Sequence, residues 1–164
     1  MHLNTINNSK IVYLQYRTME KLENILFYSI DRAIRTYRQY AQQRLKEEGF
    51  SITIDQWLII KCILENPKIT QNEISDLVFK DSASVTRIIT LLVKAKYLKR
   101  KVNKTDRRRS QLVVTELGEN TIHAVDTIVK MNRKTALAGI TPEEIELSQR
   151  VMDSISSNCR KNDE

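Results

Sequence analysis

Between Lys99 and Arg109 stand seven basic residues, Lys99, Arg100, Lys101, Lys104, Arg107, Arg108 and Arg109, against one acid, Asp106. Three adjacent guanidiniums repel one another unless solvent screens them or an anion draws them together, and a phosphodiester backbone is an anion that fits such a row. The rest of the chain is close to neutral, since 27 Lys and Arg against 20 Asp and Glu give a formal net charge of +7 over 164 residues. A polyanion therefore meets this protein at one place. Asp106 would repel phosphate, but two residues before Arg108 it can hold that guanidinium in two bonds and order the loop. Asp106 and Arg108 thus serve loop structure as well as contact. Lys104 and Arg107 are left for a nucleic-acid groove, with Arg109 beside them.

A second cluster lies upstream. In DSASVTRIITLLVK, residues 81–94, the apolar Val85, Ile88, Ile89 and Leu92 recur at helical spacing and turn toward a core. Ala83, Thr86, Arg87, Thr90 and Lys94 then turn away, with Ser82 and Ser84 in the first turn. Small hydroxyls let a helix approach a major groove closely, and an arginine can take guanine in two bonds or clamp a phosphate. The bland alternative is a solvated polar face. The basic stretch that follows favours contact with nucleic acid.

No other constellation supports bond-making chemistry. There is no acidic cluster suited to two metal ions, no glycine-rich phosphate loop and no nucleophile paired with a base, so no catalytic residue, cofactor or metal is expected. Cys62 lies in the apolar stretch LIIKCIL and Cys159 near the carboxyl end. A redox switch needs an exposed thiolate of lowered pKa, and Cys62 better suits a buried structural role. Tyr37, Tyr40 and Trp57 would suit a pocket for a small aromatic effector where terminal helices meet the central lobe, with core packing as the alternative. His123 could line that pocket or a dimer seam, but a single histidine makes no metal site. No apolar run reaches membrane-spanning length and the amino end is polar, so a cytoplasmic protein without a membrane partner is expected.

The elements that must position these residues are mostly helical, because three glycines and two prolines leave few forced stops. Apolar spacing predicts a long amphipathic helix from Met19 to Glu47, stopped by Gly49. Capping boxes at Thr53 to Gln56 and Thr70 to Glu73 open two further helices, the first through Trp57, Ile60, Ile63 and Leu64, the second short with Ile74 and Leu77. Asp81 caps a fourth. After Leu98 the period becomes two, predicting antiparallel strands over Tyr97 to Val102 and Ser110 to Thr115, joined by the basic loop. A helix from Thr115 to about Ala138 follows, with Leu117, Thr121, Ala124, Ile128, Met131 and Ala138 expected to face inward. Thr141-Pro-Glu-Glu144 opens the last helix. Two short helices and a basic hairpin make a winged helix, and the long terminal helices carry more apolar surface than it can cover. They most simply pack against a second copy of themselves.

These residues resemble the MarR family of bacterial winged-helix transcription regulators. The match spans about Gln56 to Gly118, through ITQNEISDLVFKDSASVTRIITLLVKAKYLKRK and then DRRRSQLVVTELG, with the wing pattern on Asp106, Arg108, Thr115 and Gly118. The resemblance implies one MarR-like domain over 1–164: mostly α with a small β-hairpin wing, a winged helix-turn-helix at about 53–115, and dimerisation helices at about 1–47 and 119–160. It implies a homodimer on a pseudo-palindromic operator of double-stranded DNA, usually a repressor whose affinity a small molecule or another signal modulates. The alternative is a winged-helix module for protein interaction or for coating DNA without a defined operator. One position departs from the pattern. Lys96 stands where the family usually has glycine, and the helix must end there, so Lys96 is expected to take a positive φ.

Overall fold

The structure, a computed structural model, describes residues 20–102 and 110–160. The chain forms two compact units, Met1–Gln43 and Arg44–Glu164.

In the first unit a 3-10 turn at Leu22–Asn24 precedes helix α1, Leu26–Glu47, which runs past the unit's end. The helix thus starts later than Met19. Ile25 is extended, with φ −80° and ψ 114°, and Lys21 before the turn provides no side-chain cap, so helix cannot propagate back through these residues. Of the expected apolar stripe, Ala41 is buried, whereas Leu22, Leu26 and Ile34 are exposed.

The second unit begins with the end of α1. Gly49 takes φ +82°, and the Phe50 N–H donates to the Leu45 carbonyl at 2.9 Å, closing the helix as a left-handed glycine does. Helix α2, Ile54–Glu65, and helix α3, Gln71–Val78, both open with reciprocal capping boxes, Thr53 with Gln56 and Thr70 with Glu73. The Glu73 carboxyl lies below its ordinary pKa because the backbone and hydroxyl of Thr70 both bond to it. Helix α4, Ser82–Lys94, is capped by Asp81. Strands β1, Leu98–Val102, and β2, Ser110–Val114, pair antiparallel, with Leu98 opposite Val114 and Val102 opposite Ser110. Helix α5, Glu116–Ala136, starts at an N-cap on Thr115, and α6, Pro142–Arg160, follows the Thr141 and Glu144 reciprocal pair.

One core joins the end of α1, helices α2 to α5 and the hairpin, with Leu45, Ile52, Ile59, Ile60, Ile74 and Val85 at its centre and Ile89, Leu92, Leu98 and Val125 completing it, while α6 contributes no residue to it. Two expected faces are corrected. Leu77 is exposed, and Ser75 is buried beside Ile74 with its hydroxyl bonded to the Gln71 carbonyl at 3.0 Å. On α5 the buried residues are Gly118, Ile122, Val125, Val129 and Asn132, while Leu117 and Met131 face solvent, Ala124 and Ala138 are exposed, and Thr121 and Ile128 are half-buried. The phase is set at Gly118. Its Cα lies so close to Tyr97 that this edge must face the hairpin, and positions four, seven, eleven and fourteen residues on turn inward with it.

Candidate nucleic-acid interface

Helix α4 is fixed at both ends by local bonds. The Asp81 carboxylate accepts from the Ser84 N–H at 2.8 Å and the Ser84 hydroxyl at 2.7 Å, and these bonds hold its pKa below the usual carboxylate value. Ser84 is therefore half-buried and spent on the cap, leaving Ser82 and Ala83 as the exposed residues of the first turn. Along the outer face, the Thr86 hydroxyl donates to the Ser82 carbonyl at 2.7 Å and accepts from the Gln71 side-chain amide, and the Thr90 hydroxyl donates to the Thr86 carbonyl at 2.8 Å. Arg87 and Lys94 are exposed and form no ion pair among the described residues, which leaves both charges available to an anion.

The helix ends at Lys96, whose φ is +63°, as expected from the missing glycine. The Lys96 N–H donates to the Val93 carbonyl and the Tyr97 N–H to the Leu92 carbonyl, both at 3.0 Å. A second left-handed residue precedes the helix. Phe79, φ +52°, caps α3, with the Lys80 N–H donating to the Ser75 carbonyl at 3.1 Å, and the residue is 90% exposed. Lys80 then pairs with Asp55 of α2 at 3.0 Å, tying the turn between α3 and α4 to the core side.

A clasp joins the base of the hairpin to both neighbouring helices. The Thr115 hydroxyl donates to the Lys96 carbonyl at 2.6 Å and accepts from the Gly118 N–H at 3.1 Å, while the Thr115 N–H donates to the Tyr97 carbonyl at 3.0 Å. A Cβ at Gly118 would stand 2.4 Å from the Tyr97 carbonyl oxygen and 2.8 Å from Val114 Cγ1. This close approach is the physical content of the Thr-x-x-Gly pattern. Lys99, Arg100 and Lys101 are exposed on β1. Lys104, Asp106, Arg107, Arg108 and Arg109 lie outside the described residues.

The residues expected around an effector are distributed differently. Trp57 is 7% exposed in the core, and His123 is exposed on α5. Tyr37 and Tyr40 are half-buried on the part of α1 that belongs to the first unit. Sequence reasoning missed Asn132, which is 2% exposed on α5; its side-chain amide nitrogen and the Trp57 indole nitrogen are buried donors without a hydrogen-bond partner. It also missed Gln71, whose position at the first turn of α3 carries no sequence signal for a partner fifteen residues on. Cys62 is half-buried and its thiol pKa is raised, chiefly by burial and then by Glu65, the opposite of a reactive thiolate; Cys159 is exposed.

The MarR family model matches residues 49–109, from Gly49 across α2, α3, α4 and β1. Solved structures extend the likeness over the flanking helices. A MarR/EmrR family transcriptional regulator from Acinetobacter sp. ADP1 superposes with a TM-score of 0.77 at 17% identity, covering 87% of this chain and 99% of that one. BpsR of Bordetella bronchiseptica, in a structure on the regulation of its DNA binding by 6-hydroxynicotinic acid, gives 0.75 at 16% identity, covering 84% and 97%. MepR of S. aureus, in complex with DNA, gives 0.72 at 21% identity, covering 84% and 98%. At these identities the superpositions show a shared fold.

Proposed function

We propose that this chain, a MarR-family winged helix with flanking long helices, is a homodimeric regulator of transcription that reads a pseudo-palindromic operator in double-stranded DNA. The observation that carries this reading is α4, which presents Ser82, Ala83, Arg87 and Lys94 outward, both cations without an ion pair among the described residues, beside a hairpin base bearing Lys99, Arg100 and Lys101. Arg87 is placed to read a base or clamp a phosphate, and Lys104, Arg107, Arg108 and Arg109 would continue the basic strip at the wing, with Asp106 ordering Arg108. The MepR complex with DNA supports the use of this fold on a duplex. Footprinting on selected genomic fragments tests the proposal. A protected palindrome supports it, and diffuse coating favours a module without an operator.

The dimer is supported by apolar surface that one chain leaves uncovered. No residue of α6 is buried, and Leu147 is 54% exposed. An open cavity of about 440 Å³ is lined by Leu137, Ile140, Ile145 and Met152. Sedimentation at micromolar concentration should give about twice 19.2 kDa. A clean monomer would overturn the dimer.

An effector that modulates a repressor is supported by the two orphaned donors. Trp57 is buried on α2 and Asn132 on α5. Two buried N–H donors without acceptors call for a ligand with carbonyl or carboxylate oxygens. The Bordetella protein is regulated by such a molecule, 6-hydroxynicotinic acid. A thermal shift with this acid that vanishes in Trp57→Phe supports the pocket, and a shift unchanged by that substitution overturns it. No helix among the described residues is long and apolar enough to cross a membrane; a regulator bound to its operator would work in the cytoplasm.

A further inference from the structure

Thr86 lies on the outward face of α4, yet its hydroxyl is already committed. The hydroxyl proton goes to the Ser82 carbonyl at 2.7 Å, and the Gln71 side-chain amide donates to the Thr86 hydroxyl oxygen. A hydroxyl has one proton, so Thr86 cannot donate to a base carbonyl without giving up a bond within its own helix. Rotating χ1 to free it would break both bonds together. The uncommitted group of this exposed side chain is its methyl, Cγ2, and the major groove offers a methyl partner on one base alone, the C5-methyl of thymine.

We propose that Thr86 reads thymine through its methyl group, and that Gln71, from the neighbouring helix, is the positioning residue that holds the methyl in register. The proposal rests on the DNA-binding reading above and specifies its chemistry at one position. It also divides the work on the face. Arg87, which has no ion pair among the described residues, supplies the charged contact to guanine or phosphate, while Thr86 supplies an apolar contact that its hydroxyl alone would not suggest.

The test uses the full chain and a duplex selected from a random-sequence library, resynthesised with each thymine in turn replaced by deoxyuridine, which removes the C5-methyl and nothing else. One position per half-site should weaken wild-type binding about fourfold, the factor for burying one methyl group. Thr86→Ser, which keeps the hydroxyl and loses the methyl, should bind the two duplexes alike. Thr86→Val, which keeps a methyl but loses the hydroxyl that Gln71 holds, should shrink the discrimination as Gln71→Ala does without abolishing it. Gln71→Ala should shrink it without changing the salt dependence, since a loosened side chain alters no phosphate contact. Persistence of the discrimination in Thr86→Ser, or its loss in Thr86→Val, overturns methyl reading, and unchanged discrimination in Gln71→Ala overturns the positioning role. If wild type binds the selected duplex but no thymine is sensitive, this inference falls and the operator reading stands. If no duplex is selected and binding is diffuse, the operator reading itself falls.

Discussion

Helices α4 and α6 are both amphipathic, both opened by a side-chain cap, and built on opposite terms. Val85, Ile89 and Leu92 of α4 are fully buried within the Arg44–Glu164 unit, whereas α6 buries no residue and leaves Leu147 and Val151 in solvent. An apolar stripe reports that a helix has a partner. It does not report whether that partner lies in the same chain.

The largest expected effect separates the two helices. Ile89→Ala should cost about 2–5 kcal/mol of unfolding free energy, because a closed core cannot refill the cavity. Leu147→Ala should cost far less in dilute protein, while Leu147→Glu should shift sedimentation toward monomer. Equal losses for the two alanine variants in dilute denaturation would break the comparison. Next is Gly118→Ala, where the added Cβ meets backbone at Tyr97; overpacking should cost about 1–3 kcal/mol in thermal denaturation. A neutral result would mean that the clasp yields easily.

Two smaller effects sharpen the account of how α4 is held. Lys96→Gly and Phe79→Gly should each raise the denaturation midpoint, by a few tenths to about 1 kcal/mol, since each replaces a strained left-handed residue. A lowered midpoint would show that the side chain contributes more than the strain it imposes. The smallest is the pH dependence of the cap. Asp81 has a folded pKa below its ordinary 3.8, so its contribution is present above that pH and is lost as pH falls through the folded value. The stability gap between wild type and Asp81→Asn should be constant near neutrality and close in acid below 3.8. A gap that persists there would assign the cap to geometry alone.

Local signals proved legible in the sequence because their physics is local. The boxes at Thr53, Thr70 and Thr141, the cap at Asp81 and the left-handed Lys96 each depend on residues within a turn or two. The phase of α5 was illegible because Gly118 is positioned by Tyr97, which is distant in sequence, and the largest hydrophobes, Leu117 and Met131, misdirect a periodicity argument toward the exposed face. At the candidate site, the outward set from Ser82 to Lys94 was legible from spacing. The commitments of its hydroxyls were not. Ser84 turns to Asp81 and Thr86 to Gln71, and only the folded backbone brings those partners into reach.

The Thr115 clasp has a mechanical consequence. It fastens the end of α4, the base of the hairpin and the first turn of α5 through one side chain and one bare Cα, leaving no soft joint between them. Helix α5 then acts as a lever arm of 21 residues, roughly 30 Å, running from the elements of the candidate interface to the apolar surface around Leu137 and Ile140. A tilt of about 5° at one end is a displacement of about 3 Å at the other, by simple geometry over that length. If two copies meet at that surface, as proposed, torque applied there would reach α4 undamped, and the angle between the two arms would set the distance between the two α4 helices.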